Sequence, residues 1–490
     1  MYFQQYLLVF IVCSSFFGAF LILVIPFYFQ KILRIVTLWI SIITFLVIML
    51  IWILYDIQVC YFQFLFNFEW FFFFGVSYAV GLDSISLLFL LLTSFLIPIC
   101  ILTSWYSIQF YLKEYLICFL LLEGFLINIF LVLDIFLFYI FFETILLPIF
   151  IIIGVWGTRE RKIYASYLFF LYTLVGSLFF LVAILLILFQ IGSSNYQLLW
   201  YIHFSEKRQL ILWIFFFLSF SIKIPMLPFH CWLLEAHCEA PTAGSVILAG
   251  VLLKLGGYAF LRFSILFFQE ASIFFAPLIF TLSILAIIYA SLMTLRQIDL
   301  KKIIAYSSIA HMGFVTLGIF SYNIYGLESA LYLMISHGLI SSGLFLLIGV
   351  LYDRFKTRVL KYFSGLTLSM PLFIIVFIFF SFSNIGFPGT SAFISEFLVF
   401  LSMAQLNFFI VLLISFSLFL SGCYTIWLIN RLCFGVLKTF YLIKYQDISR
   451  REFFLFLPLV FFIIKLGIFP NSLNFVHLNV LVILDFCIVL

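Results

Sequence analysis

Charge is scarce in this sequence. Its 490 residues include 24 Lys and Arg and 19 Asp and Glu, 9% of the chain, whereas soluble globular proteins carry about 25%. With 67% hydrophobic residues and a mean hydropathy of +1.33, that shortage excludes a soluble globular fold, a disordered chain and a collagen-like fibre. Cysteine is sparse too: nine residues, at positions 13, 60, 100, 118, 231, 238, 423, 433 and 487, lie scattered in mostly apolar surroundings without a CxxC pair. A disulfide scaffold and a cysteine-held metal or iron–sulfur site are thereby excluded. Also missing are a Walker loop, a GxGxxG fingerprint after a strand and a convincing haem pair. By its own residues the chain has no redox chemistry. What it has in excess is phenylalanine, 73 residues, more than lipid contact requires, which points to an AT-rich coding genome.

A transmembrane helix needs roughly 20 mostly apolar residues. The sequence divides into about fourteen such runs, centred near residues 16, 44, 94, 124, 144, 177, 222, 256, 284, 312, 339, 387, 418 and 462. The fold class expected is an all-α polytopic membrane protein. Since thirteen more runs follow the first, that first run is not simply a removable signal peptide. Positive charge collects on the non-translocated side, which tests the count, because one missed span would invert everything after it. With fourteen spans, eighteen basic residues fall on one side, from Lys31 and Arg34 to Arg450 and Arg451, only Lys207 and Arg208 fall on the other, and four lie inside spans. Both termini are then on the outer side. The tail from Ser472 to Leu490, with His477 and Asp485, is expected to lie in the interface or form a partial extra span. The net charge of +5 is one-sided and orients the protein; it does not indicate nucleic acid.

The informative residues are titratable groups far from any loop, because ionising one at the hydrocarbon centre costs at least ~2.5–3.5 kcal/mol. Glu123, Glu143, Lys223, Lys254, His311 and His337 fall near the centres of their runs, and Glu396 in the second half of the twelfth. Acids, lysines and histidines all exchange protons once burial and neighbours tune them. Seven such groups at similar depth, with no substrate pocket, suggest a proton relay. The bland alternatives are a structural Glu143–Lys223 ion pair and hydrogen-bonded core histidines. Arg262 and Lys465, nearer span ends, are expected to snorkel. The stretch from His230 to Glu239 contains metal-ligand types, but it ends a span where polar residues belong, and no metal site is expected.

Two runs carry helix breakers: Pro225 and Pro228 in the seventh, Gly386, Pro388 and Gly389 in the twelfth. A proline inside a helix removes a hydrogen bond and clashes with the preceding turn, and carbonyls freed at mid-membrane must face protein or a watery cavity. Lys223 adjoins one break and Glu396 the other. Broken helices at corresponding places point to inverted repeats. The expected organisation is three N-terminal spans over residues 1–112, a first five-helix repeat over 113–270, an inverted second over 271–432, and a final helix with an apolar tail over 433–490.

Longer motifs carry a resemblance. Phe142-Glu143-Thr144-Ile145-Leu146-Leu147-Pro148 is followed by Gly154-Val155-Trp156-Gly157-Thr158-Arg159. Next come Lys223-Ile224-Pro225-Met226-Leu227-Pro228-Phe229-His230, Glu239-Ala240-Pro241-Thr242-Ala243-Gly244, Leu295-Arg296-Gln297-Ile298-Asp299-Leu300-Lys301-Lys302, Ser336-His337-Gly338 and Phe393-Ile394-Ser395-Glu396-Phe397. Over roughly residues 75 to 470 this order resembles the antiporter-like membrane core subunits of respiratory NADH:ubiquinone oxidoreductase, complex I. Glutamate at 396, where relatives more often carry lysine, and the lack of a long C-terminal lateral helix favour the fourth such subunit over the second and fifth. The chain departs from the family at Leu234, where proline is usual.

The resemblance implies a proton-translocating subunit driven by electron transfer from NADH to ubiquinone, with NADH, FMN, iron–sulfur clusters and ubiquinone all held by partner subunits. Glu143 would pair with Lys223, Lys254 would be the central relay, His337 would bridge toward the second repeat and Glu396 would be the exit-side carboxylate. The implied partners are lipids and other membrane-arm subunits, especially subunits 2 and 5. The implied place is the mitochondrial inner membrane, basic loops in the matrix and termini in the intermembrane space. A secondary cation/proton antiporter subunit and a non-conducting scaffold are the competing readings.

Overall fold

The computed structural model describes residues 2–59, 61–71, 75–438, 445–471, 476, 477 and 479–481. Cys60, Lys444, Asp485, Cys487 and most of the tail lie outside the described residues. Among those described, eleven helices are long and apolar enough to cross a membrane. They are α1 (Tyr2–Val24), α2 (Gln30–Leu54), α3 (Ser84–Thr103), α4 (Leu112–Leu131), α5 (Ile135–Trp156) and α6 (Lys162–Ile191). After an interrupted span come α8 (Thr242–Phe267), α9 (Gln269–Arg296), α10 (Leu300–Ile319) and α11 (Ile324–Phe355), then, after a second interrupted span, α13 (Phe408–Cys433).

The three remaining runs take other forms. The seventh is two helices, α7a (Glu206–Lys223) and α7b (Cys231–Glu239), and the twelfth is α12a (Pro371–Ile385) and α12b (Ser391–Leu406). Both interruptions fall on the Pro and Gly residues that remove donors or take left-handed backbone. The last, α14 (Arg450–Ile468), opens on a capping box between Ser449 and Glu452; its charged first turn sets it apart from the eleven.

One element departs from the all-helical expectation. Between α2 and α3, β1 (Gln63–Phe71) and β2 (Val76–Leu82) pair as an antiparallel hairpin. Polar Gln63, Asn67 and Glu69 interleaved with aromatics suit a strand better than a helix. The hairpin docks on the α4–α5 connection, where Leu133 N donates to Ala79 O at 2.8 Å.

Burial sorts the helices. α8, α10 and α11 are buried nearly all round, whereas α1, α2, α6, α9 and α13 leave most of their apolar surface outward. A helix apolar on every side belongs in the centre or in lipid. Because lipid is as apolar as leucine, burial of apolar surface does not drive these helices together; packing and hydrogen bonds do. The central helices are those that carry Lys254, His311 and His337, so these groups sit in protein rather than lipid.

Candidate functional site

In the first half, Pro148 lies one turn after Glu143 and cannot donate to the carbonyl of Thr144; α5 is interrupted at Ile145. Lys223 is the last residue of α7a, where the helix dipole favours a cation. The break is held by Trp232, whose Nε1 donates to the Ile222 carbonyl at 2.9 Å, and by Met226 N, which donates to Ser221 O at 2.9 Å. Gly256 of α8 lets the break approach closely, since a Cβ there would lie 2.6 Å from Ile224 Cγ1. Glu143 and Lys223 do not close to an ion pair. Lys223 Nζ rests 4.3 Å from the centre of the Phe142 ring, and Glu143 Oε1 is buried without a hydrogen-bond partner.

Lys254, fully buried on α8, follows a π-helical segment, Leu248–Leu252. Its Nζ donates to the Ala249 carbonyl and meets His337 Nδ1 of α11 at 2.8 Å. From there the groups run on without a gap. The His337 and His311 rings are 5.5 Å apart, His311 Nδ1 lies 3.3 Å from Glu396 Oε1, and His311 Nε2 is 3.1 Å from Asn384 Oδ1 at the end of α12a. Gly386 takes φ +82, and a Cβ there would stand 2.5 Å from Glu396 Oε2. The second break therefore both turns the chain and makes room for the carboxylate.

Four of the seven expected residues, Lys254, His337, His311 and Glu396, thus form one file from α8 to α12b, while Glu143 and Lys223 lie close enough to interact electrostatically at the first break. Glu123 stands apart. Thr44 of α2 donates to its Oε1, and its buried Oε2 has no partner. Arg262 corrects an expectation: it does not snorkel but is buried and ion-paired with Asp83, the N-cap of α3. Asp83, 179 residues away, compensates its charge locally. Lys465 is exposed, in keeping with a snorkelling side chain. Among the described residues no group of three or more His, Cys, Asp or Glu is placed to hold a metal ion; His237 lies flat on Phe345, ring centres 4.8 Å apart.

Sequence reasoning also missed a clamp on the face that carries the basic loops. Arg358, counted as a loop charge, is fully buried. Its Nη1 donates to Thr158 Oγ1 at 3.2 Å and to the Cys238 carbonyl, Nη2 lies 3.5 Å from Glu239, and Nε 3.7 Å from Asp299. Lys301 Nζ donates to Ala240 O at 2.6 Å, and Lys302 pairs with Glu235 at 3.2 Å. Basic and acidic residues clustered around both halves' connections were the available signal.

Residues 133–421 match the family described as NADH:quinone oxidoreductase/Mrp antiporter, TM. That interval holds every residue of the file together with Glu143 and Lys223, and leaves out Glu123. The chain is 60% identical to NADH-ubiquinone oxidoreductase chain 4 of Chondrus crispus over 463 residues, 94% of each protein. The chain belongs to the NADH-ubiquinone oxidoreductase chain 4 family. A second chain 4 relative, from Marchantia polymorpha, is 53% identical over 93% of this chain and 92% of its own length. Among solved structures, a chain of respiratory complex I from Thermus thermophilus with bound NADH superposes with a TM-score of 0.88 at 27% identity, covering 98% of this chain and 99% of its own. Chain 4 likeness therefore extends well beyond the motif-bearing centre, into helices whose sequence reads only as apolar.

Proposed function

We propose that the chain is the proton-translocating membrane-arm subunit of NADH:ubiquinone oxidoreductase that corresponds to chain 4, and that the buried file is its proton path. The observation that carries this reading is the unbroken run Lys254–His337–His311–Glu396 between the two broken helices. The contacts of 2.8 and 3.3 Å at its ends, with two imidazoles between them tilted by 49° and their ring centres 5.5 Å apart, lie within reach of proton transfer through hydrogen bonds or one water. Neither break would be tolerated facing lipid.

In this reading Glu143 tunes the charge on Lys223, Lys254 is the central relay, His337 and His311 bridge the halves, and Glu396 hands protons out. Glu123 belongs to the same layer as a fully buried carboxyl with one free oxygen. Residues 113–270 and 271–432 form the two inverted repeats, each broken in its fourth span. The chain contributes translocation to a reductase whose NADH, FMN, iron–sulfur and ubiquinone sites lie in other subunits, with subunits 2 and 5 as its membrane-arm neighbours. It lies in the mitochondrial inner membrane, with the basic face, Arg159 to Lys302 and Arg358, toward the matrix and both termini in the intermembrane space.

The test is purification through a tag on this chain. The expected result is a large assembly with flavin and iron–sulfur absorbance that oxidises NADH with ubiquinone and acidifies vesicles. Sodium-dependent transport by an assembly without those absorbances would overturn the reading in favour of an antiporter subunit.

A further inference from the structure

A groove of about 130 Å³ lies behind the file, among α2, α3, α11 and α14. Of the described residues that line it, Lys465 alone is charged. The directions of the helices orient it. α2 runs from Lys31 and Arg34 at the basic loops to Leu54 at the other face, and α14 starts at Arg450 on the basic side. Trp52, two residues from the end of α2, and Lys465, fifteen residues beyond Arg450, therefore lie toward the face opposite the basic loops. Phe45, seven residues before Trp52, is roughly 10 Å deeper at 1.5 Å per residue. There the groove is closed by rings, Phe95 standing 6.1 Å from Phe45 and meeting Phe462 edge-on at 5.2 Å. The groove thus spans most of the hydrocarbon depth of one leaflet, about 15 Å, half of the ~30 Å core.

Lys465 is exposed, and among the described residues no carboxylate lies within 4 Å of its ammonium. Its flexible stem lets the charge reach outward to the membrane surface, and a tryptophan near a lysine at this depth suits the headgroup boundary. On the inner side, Leu92 belongs to the groove wall and packs on Gly338, the residue after His337: a Cβ at Gly338 would lie 2.9 Å from Leu92 Cδ2. One side chain thus separates the groove from the file. Atoms filling the groove would give Leu92 contacts on its outer side as well, and so brace α3 by dispersion.

We propose that this groove binds one glycerophospholipid of the leaflet opposite the basic loops, an acyl chain lying among α2, α3, α11 and α14 and its phosphate on Lys465 Nζ. A helix of a neighbouring subunit, about 10–12 Å across with its side chains, is too thick for a groove of this volume. A single acyl chain fits it. The lone cation at the shallow end supplies the charge that a phosphate needs, since an ammonium binds phosphate as a point charge. The lipid is on this account a fixed part of the packing behind α3 and carries no proton, so its loss is read in lipid retention. The proposal requires only that the chain spans a membrane, and it stands or falls apart from the proton path.

The experiment loads the whole complex with phosphatidylcholine that carries a diazirine midway along one acyl chain, then moves it into vesicles of unlabelled phosphatidylcholine before illumination. Adducts on this chain are mapped by peptide mass spectrometry. They are expected to persist at Leu91, Phe95 and Phe462 in the groove after those at Leu171 of α6 and Phe419 of α13, both exposed, have been lost to exchange. Lys465→Ala is expected to cut the retained groove adducts about tenfold, the scale of one hydrogen bond to a charged group. Lys465→Arg should keep them, and Leu91→Trp, which fills the groove, should abolish them. Groove adducts that exchange as fast as those on α6 and α13 overturn the proposal, as does their absence because a neighbouring subunit's side chain occupies the space. Retention unchanged by Lys465→Ala overturns it too, and that variant decides alone if Leu91→Trp fails to assemble.

Discussion

Lys223→Ala is expected to lower NADH:ubiquinone reductase activity and coupled proton pumping of the assembled complex by about 10- to 100-fold, a loss on the scale of a positioned proton-transfer group. Lys223 sits at the end of α7a, buried, beside a break whose loose carbonyls are already satisfied by Trp232 and Met226. Its ammonium is therefore not needed to hold the break together, and assembly should survive. The contact with the Phe142 ring is worth about 0.5–2 kcal/mol, too little to unfold a membrane protein of this size. Activity falls because redox turnover cannot continue when its coupled proton step is blocked. Lys465→Ala is the control. That exposed side chain should change activity by no more than about twofold, as surface substitutions usually do. Enzyme assays on complexes purified in equal amounts decide it. Wild-type turnover in an assembled Lys223→Ala complex would remove Lys223 from the path.

Arg358→Ala should act on assembly instead. The guanidinium is fully buried and faces Glu239 and Asp299 while binding Thr158 and the Cys238 carbonyl. It thereby ties the α5–α6 connection and the end of α7b, in the first half, to the α9–α10 connection, in the second. Removing one partner of a buried ionic group costs about 3–5 kcal/mol, because the remaining charges stay buried without compensation. The expected result is a strongly reduced amount of assembled complex and a lower melting temperature in what remains. Arg358→Lys should recover part of both, since lysine keeps the charge but loses the planar fork. A variant that accumulates and melts like wild type would show that the clamp holds nothing.

What could be read from the sequence follows from what is local. Span positions rest on runs of about 20 residues, and the helices lie where those runs do, from α1 to α14. The two breaks rest on Pro225, Pro228, Gly386 and Gly389, whose backbone chemistry needs no tertiary information. Mid-membrane depth was also enough to single out Lys254, His311, His337 and Glu396, because an uncompensated charge there is costly wherever the chain goes. Pairings between distant segments were not legible. Arg262 looks like a snorkelling residue until Asp83 is brought beside it, and Arg358 looks like one more orienting loop charge until Glu239 and Asp299 close around it. Glu123 shows the reverse limit: its depth matched the other acids, but the fold puts it against Thr44 and away from the file. The pairing of β1 with β2 was hidden because polar breaks between spans say nothing about strand pairing.

In the proposed function the file through Lys254 carries protons from one half to the other. Lys254 has no exposed surface and no ion-pair partner within 4 Å among the described residues; its side-chain contacts are the Ala249 carbonyl and His337. The most direct measurement is the number of protons pumped per NADH oxidised by vesicles containing the assembled Lys254→Ala complex, scored over the turnovers that remain. A lower ratio than wild type together with slowed turnover is expected. An assembled Lys254→Ala complex that pumps at the wild-type ratio and rate would contradict it.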